Sequence, residues 1–486
     1  MEWRPYPVTY KIPQQIESFL CGEWQAGAGA GYRLQDKFST SDVAIIKAAD
    51  KAQVQAAVAH AGVARKSVPG PHARGEILER AAKAVEARRA VFATVLCIEA
   101  GFTDVDAQNE ITRCVQTLQL CAEEARRFCG EMIPLEGAPG QAGRLAFTLR
   151  RPLGTVVAIT PFNSPLNTVA HKVGPAFAAG NAVILKPSRL TPFSSNVLVE
   201  ALLEAGMPKG MIALLHGGAD VANWLLDERD THFVAFTGST DVGRSIQGRL
   251  GLRRSQMELG SIAHVVIDES ADVVRAVPRI VGAGFRKAGQ VCTSTQILLV
   301  HRSRVEEVTK LMSQQVKALG FGDPTSQHTI VGPMISEGEA RRVQAWIEEA
   351  VSQGAQAIVR GERKRSVVAP TILVDTTPEM KVRSQEVFGP VLSIVPFDSF
   401  DDALEQVNRT PYGLAAGVFT NSLENGFKAA RLLEVGSVHI NEASSSRADV
   451  MPFGGCKDSG FGKEGPAAAV REMSEERLIT IANATA

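Results

Sequence analysis

Three features are absent from this sequence, and each absence excludes a class of protein. Lysine plus arginine and aspartate plus glutamate each number 52, so the formal net charge is 0 and no bulk positive charge is present to hold nucleic acid or an anionic membrane. No apolar run approaches the roughly 20 residues that span a bilayer. The first residues, MEWRPYPVTYKIPQQ, lack the basic and then apolar segments of a secretory signal. We therefore expect a cytoplasmic protein with neither a nucleic-acid nor a membrane partner.

The cysteines form no framework. They number seven, at scattered spacing and without a CxxC pair: Cys21, Cys97, Cys114, Cys121, Cys129, Cys292 and Cys456. An odd, scattered set is not the pattern of a disulfide scaffold or a zinc knuckle, and we expect no metal site. Cys292 differs from the others because it lies in KAGQVCTST, among glycine and small polar residues. It is either a structural thiol on a buried turn or a nucleophile.

Length and periodicity predict more than one α/β domain. A chain of 486 residues is too long for one ordinary core. Ala-rich segments with apolar residues at helical spacing predict helices over 51–67, 79–100 and 110–130. From residue 154 short β-rich runs alternate with helical segments, with strands expected over 154–160, 182–186, 211–216 and 232–238. This alternation is typical of parallel sheets covered by helices on both faces.

A second alternating region starts near Glu258. Strands are expected over 264–268, 297–301 and 391–397, with a helix near 303–319. The tail also reads as a strand, over 476–485, but no partner lies nearby in the sequence. An exposed strand of this kind often pairs with another chain.

Two further polar residues each have an ordinary explanation when taken alone. Glu258, in SQMELGS, would usually be a surface charge, and Asn163, in ITPFNSPL, would cap the following helix. Seven segments nevertheless occur together in one order: TPFNSPL (160–166), GPAFAAGNAVILKPS (174–188), FTGST (236–240), MELGS (257–261), GQVCTS (289–294), EVFGP (386–390) and PFGGCKDSG (452–460). Over nearly the whole chain, this set resembles the aldehyde dehydrogenase superfamily.

The resemblance implies an α/β fold of the aldehyde dehydrogenase type, with two α/β domains built on parallel-type sheets and a small β oligomerisation element. The implied parts are a dinucleotide-binding domain (1–129 and 149–258), a catalytic domain (259–445), a bridging or oligomerisation element (130–148 and 465–486), and a segment returning to the cofactor domain and substrate tunnel (446–464). A homodimer or homotetramer is implied as well.

The same resemblance implies oxidation of an aldehyde to a carboxylic acid by a covalent route. Cys292 matches the nucleophile, and Asn163 matches the amide that holds the oxyanion together with the Cys292 backbone N–H. Glu258 matches the general base that activates water to hydrolyse the thioester. Lys172 and Glu464 match positions that pass protons to and from this base in some relatives; surface or structural roles are the alternative.

The implied cofactor is NAD or NADP. The matching positions are Thr160, Phe162, Lys186, Ser188, Arg189, Gly238, Ser239, Glu386 and Phe388. Arg189 departs from many NAD-using relatives, which carry glutamate there to bond the ribose hydroxyls. An arginine would not repel the 2′-phosphate of NADP and could pair with it. Alternatively, Arg189 points into solvent, so the sequence does not decide between NAD and NADP.

The implied substrate tunnel carries cations where relatives that oxidise apolar aldehydes carry large apolar groups. The matching positions are Arg113, Ser164, His171, Arg286, Arg447 and Phe453. Guanidinium groups suit carboxylate, phosphonate or sulfonate, so we expect a short aldehyde with an anionic far end. The branches resembled are the succinate semialdehyde, lactaldehyde and phosphonoacetaldehyde dehydrogenases. Alternatively, Arg113 pairs with Glu110 and Arg447 with Asp449.

Two other functions are compatible with the fold. A CoA-acylating relative would pass the acyl group to CoA, but such enzymes generally lack the base that Glu258 matches. A non-catalytic binding or structural relative would have no need of Cys292, Glu258 and Asn163 together.

Overall fold

This computed structural model describes residues 10–482. Two large sheets, each packed against helices, form most of the fold. Residues 1–9 of the predicted dinucleotide-binding domain and 483–486 of the predicted bridging element lie outside the described part. The α-helices are Lys51–Ala64, Pro71–Ala87, Arg89–Ala100, Asp104–Arg126, Asn167–Ala178, Phe193–Glu204, Ala219–Asp227, Thr240–Leu250, Val273–Phe285, Val305–Lys317, Glu337–Ser352, Lys381–Ser384, Phe400–Asn408, Leu423–Leu432 and Pro466–Glu472. Among residues 10–482, none of the helices is long and apolar enough to cross a membrane.

The helix predicted over 79–100 is in fact two helices, Pro71–Ala87 and Arg89–Ala100. The backbone N–H of Arg88 bonds to the carbonyl of Val85, three residues earlier, and Arg88 leaves helical geometry with φ −98° and ψ 15°. The apolar period continues across this point, which is why the sequence pattern did not reveal the break.

The first sheet has eight strands, of which the central five run parallel. Their spatial order is Gly460–Phe461, Arg254–Glu258, Phe233–Thr237, Thr155–Ile159, Ala182–Lys186, Ile212–Leu214, Ser18–Leu20 and Glu23–Gln25. The four strands predicted in this region are confirmed. The strands at both edges are antiparallel and were not predicted, because they are two or three residues long and carry no readable alternation.

The second sheet has seven strands, parallel except for the first pair. Their order is Gln356–Val359, Thr371–Val374, Val391–Phe397, Thr295–His301, Ala263–Ile267, Ala415–Phe419 and Ser437–Ile440. Both faces are buried: Val265 packs in one apolar cluster and its neighbour Val266 in another. A strand buried on both faces reads as a continuous apolar run, as the sequence here does.

Three smaller sheets complete the described part. The first has three strands, in the order Gln15–Ile16, Asp42–Lys47 and Gly31–Gln35. The second has two strands, Tyr412–Gly413 and Cys456–Lys457. In the third, the tail strand Ser474–Ile481 pairs antiparallel with Leu145–Pro152, which also pairs with Met132–Ile133. The tail strand is an edge strand of this sheet and is paired on one side within the chain, and the expectation that it also pairs with another chain stays a prediction.

Candidate active site

A cleft of about 1410 Å³ opens beyond the carboxyl ends of the first sheet's parallel strands. Thr160 and Asn163 follow the strand Thr155–Ile159, Glu258 ends its own strand, and the opposite wall contributes Cys292. Ligands of parallel α/β sheets bind beyond this edge. The volume exceeds the roughly 300–1,000 Å³ of a pocket for one small molecule, so two ligands can lie in the cleft together.

Most of the predicted site residues line this cleft. They are Arg113, Thr160, Phe162, Asn163, Ser164, Lys186, Ser188, Arg189, Gly238, Ser239, Glu258, Arg286, Cys292, Glu386, Phe388, Arg447, Phe453 and Glu464. His171 and Lys172 are 0 % exposed, within the helix Asn167–Ala178. Neither residue lines the cleft, and the predicted contact between His171 and the substrate stays a prediction.

Cys292 follows a loop in which position 289 requires glycine. Gly289 has φ +69°, and a Cβ on it would lie 2.1 Å from the carbonyl oxygen of Gly389. Burial raises the pKa of the Cys292 thiol to about 12; the charge of Glu258 acts in the same direction and Arg447 opposes it. The thiol is protonated in this state and has to lose its proton before it can attack an electrophile.

Glu258 is a buried carboxyl group, 3 % exposed, and neither of its oxygens has a hydrogen-bond partner within residues 10–482. Desolvation, and then the negative charge of Glu464, raise the pKa of Glu258 well above its ordinary value. Gly454 lies against this group, since a Cβ there would be 2.7 Å from Oε1. Burial therefore favours the protonated form of this carboxyl, and both of its oxygens are free to bond to an incoming ligand or water.

Glu464 lies beside Glu258 but is ionised. Lys172 Nζ donates to its Oε1 at 3.1 Å, and Arg447 Nη2 donates to its Oε2 at 3.0 Å. Although desolvation opposes ionisation, these two positive charges lower the pKa of Glu464 to about 2. The Arg447 guanidinium also stacks 4.0 Å above the Phe453 ring. Arg447 thus pairs with Glu464, not with Asp449 as the alternative had it.

Arg113 is held by a buried network. Its Nε and Nη2 donate to Asp449 at 3.1 and 2.7 Å, and Asp449 also accepts from Asn167 Nδ2 at 3.0 Å and lies 2.9 Å from His171 Nε2. Burial alone would raise the pKa of Asp449, but the bonds from His171 and Arg113 hold it far below its usual range. Arg113 is therefore neutralised by Asp449, and the predicted alternative partner, Glu110, is wrong.

Arg286 differs from Arg113 and Arg447, the other two arginines predicted to bind the substrate. It is half-buried and lines the cleft, and no residue in the described part of the chain forms a hydrogen bond or ion pair with it. Burial lowers the pKa of Arg286, and the largest opposing effect is the negative charge of Asp106. A partly desolvated guanidinium without a carboxylate partner is a binding point for an anion.

Sequence reasoning missed two residues of this site. Asp449 was considered only as a partner of Arg447, and Lys287, next to Arg286, was not considered. Lys287 lies in the same quoted segment as Cys292, and a lysine among glycine and small residues was the signal that could have found it.

The far end of the cleft carries exposed and buried cations. Lys186 is buried, and desolvation followed by the charge of Arg189 lowers its pKa to about 8. The Arg189 guanidinium stacks 4.6 Å from the centre of the Tyr32 ring, so it does not simply extend into solvent. Both cations line the cleft, where phosphate and ribose groups of a dinucleotide find donors.

The middle of the cleft has the donors that a pyrophosphate needs. Gly238 and Ser239 line it and precede the helix Thr240–Leu250, whose N-terminal N–H groups favour anions. The buried Thr160 Oγ1 has no hydrogen-bond partner in the described residues. An unpartnered hydroxyl beside a helix N-terminus fits a polar ligand there.

A pair of aromatic rings and a buried acid lie closer to Cys292. The Phe162 and Phe388 rings meet edge to face, with centroids 5.7 Å apart. Burial raises the pKa of Glu386 to about 7, and its Oε1 accepts the Ser261 N–H at 2.9 Å. This carboxyl and the two rings fit the ribose and nicotinamide of a dinucleotide.

The cleft thus has the features of a dinucleotide-dependent oxidoreductase with a thiol beside the nicotinamide site. Residues 24–479 match the model of the aldehyde dehydrogenase family. The chain belongs to this family, and it is an NAD(P)-dependent aldehyde dehydrogenase.

Known relatives and structures agree over nearly the full length. The chain is 42% identical over 469 residues, 96% of its own length and 98% of the relative's, to 3-sulfolactaldehyde dehydrogenase from Priestia aryabhattai. The structure of aldehyde dehydrogenase 21 from Physcomitrella patens, in complex with the reaction product succinate, aligns with a TM-score of 0.94 at 33% identity, covering 97% of this chain and 99% of that one. The NADP-dependent glyceraldehyde-3-phosphate dehydrogenase from Bacillus halodurans, complexed with NADP, aligns with a TM-score of 0.93 at 30% identity, covering 96% and 99%.

Proposed function

We propose that this chain oxidises a short aldehyde with an anionic group at its far end to the carboxylic acid, with Cys292 as the nucleophile. Arg286 carries the proposal, because it is a cation of the cleft that lacks a hydrogen-bonding or ion-pairing partner within residues 10–482. Arg113 and Arg447 are already neutralised by Asp449 and Glu464. An anion at Arg286 would relieve the cost of its desolvation.

The relatives' names support this substrate class. Their sulfolactaldehyde, succinate and glyceraldehyde-3-phosphate carry a sulfonate, a carboxylate and a phosphate, respectively. All three are anions at the end of a short chain, and all three match a planar guanidinium donor. We infer that the substrate carries one of these groups at a distance that lets its aldehyde carbon reach Cys292.

The proposed chemistry divides the oxidation into two steps. The Cys292 thiol gives its proton to the ionised form of Glu258, which releases it to solvent, and the sulfur bonds to the aldehyde carbon, while the Asn163 amide and the Cys292 backbone N–H stabilise the oxyanion. The oxidised cofactor, when bound, supplies a hydride acceptor, and loss of hydride converts the adduct to a thioester. Glu258 then takes a proton from water, whose oxygen displaces the Cys292 sulfur and yields the acid.

Water is the proposed acyl acceptor. Glu258 is buried beside the thiol without a hydrogen-bond partner in residues 10–482, so its ionised form is free to accept a hydrogen bond from a water molecule and to deprotonate it. Acid should therefore form without CoA.

The third sheet is the proposed oligomerisation surface. Alternation along the strands Leu145–Pro152 and Ser474–Ile481 places Leu145, Leu149 and Ile481 on one face, and all three are exposed. Apolar residues on one exposed sheet face favour association, here into a homodimer or homotetramer.

A substrate panel tests the proposed function. Succinate semialdehyde, sulfoacetaldehyde, phosphonoacetaldehyde and 3-sulfolactaldehyde are compared with neutral lactaldehyde and butanal, each with NAD and NADP. We expect kcat/KM to be higher for an anionic aldehyde, and Arg286→Gln to lower that value by roughly 10- to 100-fold, as loss of a hydrogen bond to a charged group implies.

Two controls accompany the panel. Activity with butanal should be little changed in Arg286→Gln, and Arg341→Gln, at an exposed arginine paired with Glu337, should behave as the parent. Equal kcat/KM for anionic and neutral aldehydes in the parent, or an unchanged value in Arg286→Gln, would contradict the proposal.

A further inference from the structure

Lys287 joins three segments that surround the reacting sulfur. Its Nζ donates to Glu110 Oε2 at 2.8 Å and to the backbone carbonyl of Asn163 at 3.0 Å. The lysine and glutamate side chains are only 6 % and 1 % exposed. The same ammonium lies 4.2 Å from the centre of the Phe102 ring. A charge enclosed in this way has few alternative positions, so its two bonds fix the distance between its partners.

The other oxygen of Glu110 holds the same turn from a second side. Oε1 accepts from Ser164 Oγ at 2.6 Å, from the Asn167 N–H at 2.9 Å and from the Leu166 N–H at 3.3 Å. Together, Lys287 and Glu110 therefore bond to four groups of the segment 163–167. The side chain proposed to stabilise the oxyanion, that of Asn163, belongs to this segment and lines the cleft.

The backbone at Lys287 is itself in an uncommon conformation. Lys287 and Ala288 have φ +51° and +54°, in the left-handed region that side-chain-bearing residues rarely adopt. The Lys287 N–H donates to Asp106 Oδ2 at 3.3 Å. This strained turn lies directly between Arg286 and Cys292, and such conformations persist only where surrounding contacts determine them.

We propose that Lys287 is a positioning residue of the reaction: through Glu110 and the Asn163 carbonyl, it holds the oxyanion-binding asparagine in register with the loop that carries Arg286 and Cys292. The inference rests on the roles proposed above for Asn163 and Cys292. Lys287 itself does not touch the substrate. Loss of its two bonds lets the turn at 163–167 and the cysteine loop shift relative to one another.

If Lys287 only stabilises the fold, a different result is expected, and two variants distinguish this structural role from the positioning role. Lys287→Met removes the ammonium and leaves Glu110 as an unpaired buried charge, so it lowers stability on either account. In Lys287→Met/Glu110→Gln both charges of the Lys287–Glu110 pair are gone, and the glutamine Oε1 still accepts from Ser164 and Asn167. If the pair acts only through stability, the double variant regains activity.

The readouts are the unfolding midpoint, kcat and KM for the preferred aldehyde, and the hydrolysis rate of p-nitrophenyl acetate. This uncharged ester acylates the thiol without cofactor and without Arg286. We expect kcat for both reactions to fall by roughly 10²-fold in both variants, the scale of a misplaced catalytic group, with KM for the aldehyde nearly unchanged. The double variant should regain the parent's unfolding midpoint but not its kcat.

A double variant that regains kcat, or one that cannot be obtained folded, would show that the pair acts through stability and would overturn the inference. The substrate panel shows independently whether the proposed substrate class is wrong. In that case the parent protein has no preference for anionic aldehydes, and hydrolysis of p-nitrophenyl acetate still tests the role of Lys287.

Discussion

Glu258 and Glu464 lie in one cleft, yet their surroundings shift the pKa values of these two carboxyl groups in opposite directions. Glu464 is ionised because Lys172 and Arg447 both donate to it. Glu258 accepts no hydrogen bond within the described residues, and desolvation raises its pKa. A raised pKa makes the ionised form of Glu258 a stronger base than an ordinary carboxylate, so this form is suited to take a proton from water near neutral pH.

The raised pKa of Glu258 predicts a pH dependence for the second half of the reaction. The ionised form is the base, so thioester hydrolysis should accelerate as pH rises through a pKa well above the roughly 4.3 of an ordinary glutamate. The measurement is the single-turnover rate of acid release as a function of pH, after the acyl group has been loaded onto the enzyme.

Two variants identify the group responsible for that pH dependence. Glu258→Gln should abolish the rise. Glu464→Gln should shift it to lower pH, because the charge that raises the pKa is lost while Lys172 remains. A rise that persists unchanged in Glu258→Gln would assign it to another group.

Short characteristic segments indicated single residues that line the cleft, as they did for Cys292 and Asn163, whose roles stay predictions. The ion-pair partners of the charged site residues were not indicated. Arg113 bonds to Asp449, far along the chain, whereas local spacing suggested Glu110. Pairing across sequence depends on which loops the fold brings together, and no local pattern encodes that.

At the scale of elements, the loop 286–289 determines where the sulfur lies. Long helices and buried parallel strands were predicted because their periodicity is local. The irregular turn before Cys292 carries no period, and its shape is set by contact with Gly389 and by the buried Lys287. The sequence shows a glycine in this turn but not that it lies against the backbone of Gly389.

Gly289→Ala tests this loop. With φ +69° and a Cβ 2.1 Å from a carbonyl oxygen, alanine should destabilise the protein by more than the about 1–2 kcal/mol of a left-handed residue alone. Thermal or denaturant unfolding measures the change, and the rate of Cys292 alkylation reports on the loop.

A matched glycine provides the control. Gly282 lies within the helix Val273–Phe285, and a Cβ there meets nothing within 4 Å. Gly282→Ala should leave stability unchanged or raise it by about 0.5–1 kcal/mol. Equal effects at the two positions would contradict the account of the loop.

At the scale of the whole molecule, the third sheet joins distant parts of the chain. The resemblance grouped the tail strand with the segment 130–148, which overlaps its partner Leu145–Pro152, but the sequence pattern alone gives no signal for antiparallel pairing across most of the chain. One face of this sheet exposes apolar side chains, and association with a second copy of the chain would cover them.

We expect the parent to sediment as a dimer or tetramer and Leu149→Asp/Ile481→Asp to dissociate, because two desolvated charges oppose association. Analytical ultracentrifugation measures the mass. Thr480→Asp, on the opposite face of the same strand, is the control and should assemble as the parent does. A monomeric parent, or dissociation by the control alone, would contradict this surface.

The central claim is that Cys292 carries the acyl group, and trapping that group tests it most directly. Glu258→Gln is mixed with the preferred aldehyde and cofactor, and the product is digested and weighed by mass spectrometry, with Cys292→Ala as the control. The account predicts a burst of one reduced cofactor per active site, with the mass of the acyl group on Cys292 alone. Full turnover in Cys292→Ala, or a burst that leaves Cys292 unmodified, would contradict it.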